Sequence, residues 1–299
     1  MNNFDDILDV KAETPAEPPK DTRPQWQVKQ QQNRETAYQI TDEAISEFSS
    51  GKADVKKFLD VQSNFLNYSV RNTLLIMKNN PEATRIGDYS YWRGQNAEIL
   101  RDETKNPIII LEPGKEFKRE DGSVGQYYNA KEVYDVSQTT AKDTVTPTVA
   151  YDDRLLLKAL ISKSPVSIKV VNDLPDGRGA MLDTSEQVIL VKRGMAAHDI
   201  FKCVSAELAN VELEFQNPAY NRNVEGYKAY FASYMLCKRY GVDTKDFMFE
   251  GAGQIFSGKD AHAVTAELNE IKETAKTIDT RMARTLEQNR SVKVKQEIR

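Results

Sequence analysis

The chain has 299 residues, 39% hydrophobic and 29% charged, with a formal net charge of −4. That length leaves room for about two domains, and 13 Tyr with 11 Phe suffice to build real cores. An acidic balance supplies no global basic field, so any nucleic-acid binding must use a local patch.

No apolar run approaches the roughly 20 residues of a membrane span. The start, Met1 to Asp6, lacks the basic residues and apolar stretch of a secretion signal. Cys203 and Cys237 sit in apolar helical patterns and are expected to be reduced. A cytoplasmic protein without membrane contact is the expectation.

Residues 1–30 carry Pro15, Pro18, Pro19 and Pro24 among many polar residues. Such a segment cannot offset its ordering entropy by apolar burial, so a disordered tail is expected. Ile40, Ala44, Ile45 and Phe48 then recur at helix spacing up to Ser50-Gly51. Further helices are expected from about Ala53 to Phe65 and from Ser69 to Asn79, where Pro81 stops the run. Pro107 to Pro113 reads as a strand, Asp121-Gly122 as a hairpin turn within Lys118 to Gly125, and Lys131 to Val136 as a weaker strand. The polar stretch from Ser137 to Thr144, with Pro147 soon after, is the expected boundary between domains.

The second half opens with a helix from about Asp152 to Ser162. Strands are expected at Val166 to Val171 and Gln187 to Val191, with a turn at Asp176 to Gly179. Helices follow from about Ala197 to Glu214 and from Val224 to Tyr240, the latter capped by Gly241. The last helix is expected to start at Ser257, with Asp260 completing a variant capping box. Its stripe of Val264, Leu268, Ile271, Ala275, Ile278, Met282 and Leu286 fits docking on the parent domain better than a coiled-coil seam. Residues 291–299 form a basic stretch expected to fray.

Residues Val204 to Asn210 look like a zinc-protease helix without its ligands. The working pattern, His-Glu-x-x-His, sets two imidazoles one turn apart around the Glu that activates water. Here Glu207 stands, but Ala206 and Asn210 occupy the His positions. The chain holds only His198 and His262. Cys203 and Glu207, four apart, share a helix face but make a poor zinc set with no evident third ligand. The stretch from Gly253 to Asp260 nearly spells a phosphate loop, yet Asp260 stands where Ser or Thr would bind magnesium, and no good strand precedes it.

From Asn67 to Ile76 the chain starts to resemble the N-terminal domain of ArdC-type antirestriction proteins and the related LtrC-like proteins of conjugative elements. The likeness continues through Pro81 to Thr84, Tyr91-Trp92, Ile108 to Pro113 and Val133 to Thr139. In the second half it passes through Gly179 to Met181, Gln187 to Val191, Cys237 to Asp243 and Phe256 to Lys259. The resemblance implies an N-terminal domain that binds single-stranded DNA and a C-terminal zincin-type metallopeptidase module. It also places Tyr230 where a downstream Glu ligand is expected. Ala206, Asn210 and Tyr230 thus replace the whole metal set, leaving Glu207 vestigial, no metal and no cofactor.

Tyr68, Arg71, Asn72, Arg85, Tyr89, Tyr91, Trp92, Arg93 and Arg101 fall within about 35 residues. Cations that neutralise phosphates, mixed with aromatic faces that stack unpaired bases, are what hold single strands. Arg71, Arg85 and Arg93 are the phosphate candidates, and Tyr91 or Trp92 the stacking ones. Tyr68 adds an aromatic face, and Asn72 a base-edge amide or a turn cap. The bland alternative is that Trp92 and some Tyr are core residues and the Arg are simply solvated.

The expected architecture is α+β. Residues 31–140 form helices plus a small sheet that binds single-stranded DNA, and 141–149 a linker. Residues 150–290 form a degenerate zincin-like domain with a long C-terminal helix. The leading expectation is a DNA-binding antirestriction-type accessory protein of a plasmid, phage or conjugative element, not an enzyme. A host-defence or mobile-element protein is a further possible partner. The alternatives are a zinc metallopeptidase with unorthodox ligands around Glu207, and a non-catalytic protein-interaction module.

Overall fold

A computed structural model describes residues 23–142 and 151–297. Residues 143–149 of the expected linker, and residues 1–22 and 298–299 of the expected tails, lie outside the described residues. Among the described residues the fold is α+β, with eight α-helices and two three-stranded sheets.

Helix α1, Gln25–Ser49, starts earlier than its apolar pattern. The expected tail therefore ends before residue 25, and residues 25–30 are helical. The reason is local and tertiary together. Gln, Glu, Lys and Arg are good helix formers, and Lys29 Nζ reaches Glu132 on the adjoining sheet at 2.6 Å. Ala37, Ala44, Ile45 and Phe48 supply the buried face, and Gly51 (φ +73°) lets the chain turn away. Helix α2, Val55–Asn64, is capped by Asp54, whose carboxylate accepts from Lys57 N at 3.0 Å. Helix α3, Val70–Asn79, is capped by Ser69.

The first sheet runs β1 (Ile86–Gly87), β3 (Val124–Asp135), β2 (Ile108–Lys118), all antiparallel. What reads in sequence as separate short strands is one long hairpin. A register shift between Pro113 and Glu116 carries β2 past the proline, as an edge strand permits. Gly122 (φ +83°) makes the turn. The short helix α4, Tyr89–Gly94, has no counterpart in the sequence pattern. Asp88 caps it, accepting from Tyr91 N at 2.8 Å.

The second half begins with α5, Asp153–Ile161. Its sheet is β4 (Ser167–Val171), β6 (Val188–Lys192), β5 (Ala180–Asp183), with β4 parallel and β5 antiparallel to β6. Helices α6, Ala197–Gln216, and α7, Arg222–Tyr240, follow. Gly241 (φ +70°) closes α7 in the left-handed conformation as expected.

Helix α8, Ala261–Glu297, corrects two expectations. Its cap is Asp260, which accepts from Ala263 N at 2.8 Å, not Ser257. Gly258 (φ +79°) turns the chain there, and its N–H reaches Ser49 O at 2.8 Å. Residues 291–297, expected to fray, continue the helix. The stripe from Val264 to Leu286 is buried throughout. It packs on α1, α3, α5, α6 and α7, which is docking rather than a free coiled-coil seam.

The interior is continuous between the two halves. Phe58, Leu59 and Leu74 share one apolar cluster with Phe201, Phe231, Tyr234 and Leu268. Polar ties cross the same seam. Tyr234 OH donates to Asp60 Oδ1 at 2.6 Å, and Arg239 Nη1 donates to the Ser63 carbonyl at 3.0 Å. No described helix is long and apolar enough to cross a membrane.

Candidate nucleic-acid interface

The N-terminus of α3, the outer edge of β2 and one flank of α8 border a cleft of about 450 Å³. Tyr68, Arg71 and Asn72 line it, joined by Tyr128 from β3 and by Thr265 and Asn269 from α8. Three of the expected binding residues therefore meet in one place. The α8 contribution is invisible to local sequence, because it comes from nearly 200 residues away.

Asn72 does not read bases here. Its Nδ2 donates to the Leu111 carbonyl at 3.0 Å, and its Oδ1 accepts from Leu111 N at 2.8 Å. The amide imitates a neighbouring strand and satisfies the open edge of β2 inside the protein. Both halves of the amide are committed, which corrects the base-edge expectation.

Trp92 is likewise structural. It is fully buried with Ala97, Tyr134 and Val136, and its indole N–H donates to Tyr134 O at 2.9 Å. Its ring cannot accept a base, so the stacking role falls to other aromatics. Arg85 lies over that buried ring, its guanidinium carbon 5.2 Å from the centroid. Arg85 thus covers the Trp92 cluster rather than standing free in solvent.

The remaining candidates are presented outward. Arg71 is exposed, with its guanidinium carbon 6.0 Å from the Tyr38 ring, a stacked partner that the sequence does not announce. Arg93 is exposed on α4. Tyr91 is 40% exposed and lies flat across Gly87, where a Cβ would come within 2.0 Å of the ring. Only glycine leaves room for that ring position. Tyr68 packs edge-on against Phe65 at 5.6 Å. Burial pushes its phenol up, the Lys131 charge opposes, and Glu112 and Tyr91 add to the rise. Tyr68 therefore remains a neutral hydrogen-bond donor at physiological pH.

Lys131 contributes little free charge. It bonds Glu112 at 2.7 Å and Asp88 at 3.0 Å. Those two carboxylates hold its ammonium above the ordinary lysine value. The usable positive charge at the cleft is Arg71, aided by the partial positive end of α3.

On α6, Glu207 Oε2 accepts from Arg222 Nη2 at 2.9 Å and from Leu182 N at 3.2 Å. Asn210 donates to Ala206 O at 3.1 Å and accepts from Tyr220 OH at 2.8 Å. Burial pushes the Tyr220 phenol up to about 12, so it stays a donor. Tyr230 OH accepts from Met248 N at 2.7 Å, and its ring packs on Phe247 at 5.0 Å. A zinc ion would meet a methyl group at Ala206, a committed amide at Asn210 and a phenol tied to the loop after α7. These residues do not fit a tetrahedral site. Cys203 is no substitute. Burial raises its thiol pKa, and its sulfur fills the space beside Gly179. Among the described residues no three His, Cys, Asp or Glu converge on a common point.

No family model matches the chain. Among solved structures it is similar to the antirestriction protein ArdC from plasmid R388 in its metal-free form. The TM-score is 0.50 at 13% identity, over 83% of this chain and 98% of that one. The chain has the ArdC fold. Among curated proteins it is 24% identical over 270 residues to an uncharacterised protein of Bacillus anthracis, pXO2-81. That match takes in 72% of this chain and 46% of the relative, so the chain spans about half of that protein's length. The ArdC fold thus accounts for both halves, and the side chains described above are this chain's own.

Proposed function

We propose that this protein is a single-stranded DNA-binding accessory protein of antirestriction type, carried by a plasmid, phage or conjugative element. Its metallopeptidase-like half acts without hydrolysis. The observation that carries the reading is the cleft at the start of α3. There Arg71, Tyr68 and a helix N-terminus lie together beside the Asn72-sealed edge of β2. A cation and helix amides suit a backbone phosphate, and neighbouring phenol rings suit an unpaired base. Duplex DNA offers no unstacked base to such a cleft. The shared fold with the R388 antirestriction protein supports the biological setting.

The non-catalytic part rests on the donor set. Ala206 offers no ligand atom, and Glu207 is already paired with Arg222. With no metal-bound water to activate, a lone carboxylate has no strong nucleophile to make. A protein-binding role for the second half is the other reading, favoured by Phe215 and Val224, which stand 62% and 72% exposed on either side of the α6–α7 turn.

Fluorescence anisotropy with labelled single- and double-stranded oligonucleotides at two salt concentrations tests the proposal. A salt-dependent preference for the single strand is expected. Absence of binding to either form at low salt would sink it and leave the protein-binding role. Elemental analysis of the purified protein tests the second part, and stoichiometric zinc would revive the peptidase.

A further inference from the structure

Beyond Pro113 the β2–β3 hairpin carries little that is buried. Such an arm usually ends in polar residues, since it has no core to fill. This one carries an aromatic pair instead. Phe117 stands opposite Gly125 in the register, and its ring lies across that glycine, where a Cβ would come within 2.4 Å. Tyr127 packs against Phe117 with centroids 4.3 Å apart and planes inclined by 37°. The Arg119 guanidinium carbon sits 5.9 Å from the Phe117 centroid. All three belong to one face, because directly opposed residues share a side and every second residue along a strand returns to it.

Hairpin stability accounts for only part of this pair. A cross-strand aromatic contact stabilises a hairpin, and that accounts for Phe117, which is half-buried. It does not account for Tyr127, which remains 52% exposed. The cation at the tip of this face is Arg119. Arg119 bonds Ser123 Oγ at 3.1 Å rather than a carboxylate. The nearby Asp121 accepts from the Ser123 N–H and hydroxyl within the turn. Glu116 and Lys118 pair with Gln126 and Val124; Glu116 thus lies on the opposite face. Following β3 inward, the same face passes Asn129 with Glu112 opposite it and reaches Lys131, which Glu112 and Asp88 neutralise. The Lys131–Glu112 pair lies near enough to Tyr68 to act on its phenol.

We infer that Tyr127, Phe117 and Arg119 form a second contact for a DNA single strand. The open face of Tyr127 stacks an unpaired base, and Arg119 meets the adjoining phosphate. The strand then follows this face inward and crosses the β2 edge to the cleft at Tyr68 and Arg71, which Leu111, Pro113 and Tyr128 of the opposite face line. This rests on the single-strand reading above and adds to it a site outside the body of the protein. It also replaces Trp92, which is sealed in the interior, as the stacking group.

The test is anisotropy with fluorescein-labelled oligothymidylate on the full chain, comparing wild type with Tyr127→Ala, Tyr127→Phe, Arg119→Ala and the Arg71→Ala/Arg93→Ala pair. Loss of one stacked base weakens binding roughly 5- to 150-fold. Tyr127→Ala should fall in that range, while Tyr127→Phe, which keeps the ring, stays within about twofold of wild type. Photo-crosslinking with a bromodeoxyuridine oligonucleotide should label the peptide spanning residues 115–128. If wild type binds and the Arg71/Arg93 variant is weakened but Tyr127→Ala is not, the hairpin contact is wrong and the single-strand reading stands. Crosslinks confined to other peptides would likewise rule out the hairpin contact alone. If wild type binds no oligonucleotide at all, both fall together.

Discussion

Arg222 Nη2 lies 2.9 Å from Glu207 Oε2, so Glu207 is an ion-pair partner joining α6 to the start of α7. The pair is largely shielded, with the Glu207 side chain 15% exposed. Glu207→Gln should therefore cost about 1–3 kcal/mol of stability, read as a lower urea midpoint, because a charge-assisted bond is lost and Arg222 keeps only the longer contact to Glu214, at 3.5 Å. Oligonucleotide affinity should not change. A drop in affinity without a drop in stability would place Glu207 in a binding site instead.

Asn72 offers a second test. Asn72→Ala removes both bonds to Leu111 and leaves a buried N–H and C=O without partners. A cost of roughly 2–3 kcal/mol is expected, within the range for orphaned buried groups. Asn72→Asp keeps the acceptor for Leu111 N but turns a carboxylate oxygen towards the Leu111 carbonyl, so it should not rescue. Wild-type stability in either variant would show that the edge of β2 is satisfied some other way.

For Arg71 and Arg93 the readout is salt dependence. Each phosphate contact on a single strand contributes about 0.7 to the slope of log K against log salt. The double alanine variant should lower that slope by about 1.4 if both residues meet phosphates. An unchanged slope with weaker binding would mean they shape the surface without neutralising the strand.

The seam between the halves should be acid-sensitive. Burial alone would raise the Asp60 pKa, but hydrogen bonds from Tyr234, Lys56 and Lys238 outweigh it and hold the value below the ordinary 3.8. A depressed carboxylate contributes stability that is complete above its unfolded pKa and is lost as pH falls through the folded one. Thermal midpoints should fall below about pH 4 in wild type. Asp60→Asn should be less stable at neutral pH and show a shallower acid loss. Parallel pH profiles for the two proteins would count against this role.

Much of this architecture is legible in the residues alone, and the limits have a common cause. The period of Val264 to Leu286 announces α8, Asp121-Gly122 announces the hairpin turn and Gly241 the end of α7, because each signal is contained within a few neighbouring residues. The fate of individual polar groups is not contained so. Asn72 looks free until Leu111, 39 residues on, is brought against it. Trp92 looks like a stacking platform until the Tyr134 carbonyl takes its N–H. That Ala206 and Asn210 offer no imidazole can be read directly, whereas the Arg222 partner of Glu207 cannot. The aromatic pair on the hairpin was within reach. Phe117 and Tyr127 flank the turn at positions no core could use, and that mismatch was itself a signal.

Helix α8 touches α1, α3, α5, α6 and α7 and fills the space among them with a single side-chain row. During synthesis those earlier segments emerge with an unfilled apolar trough. Their native arrangement cannot lock until residue 286 has left the ribosome. Ribosome-bound chains arrested before that point should therefore leave the helices that α8 contacts open to proteolysis.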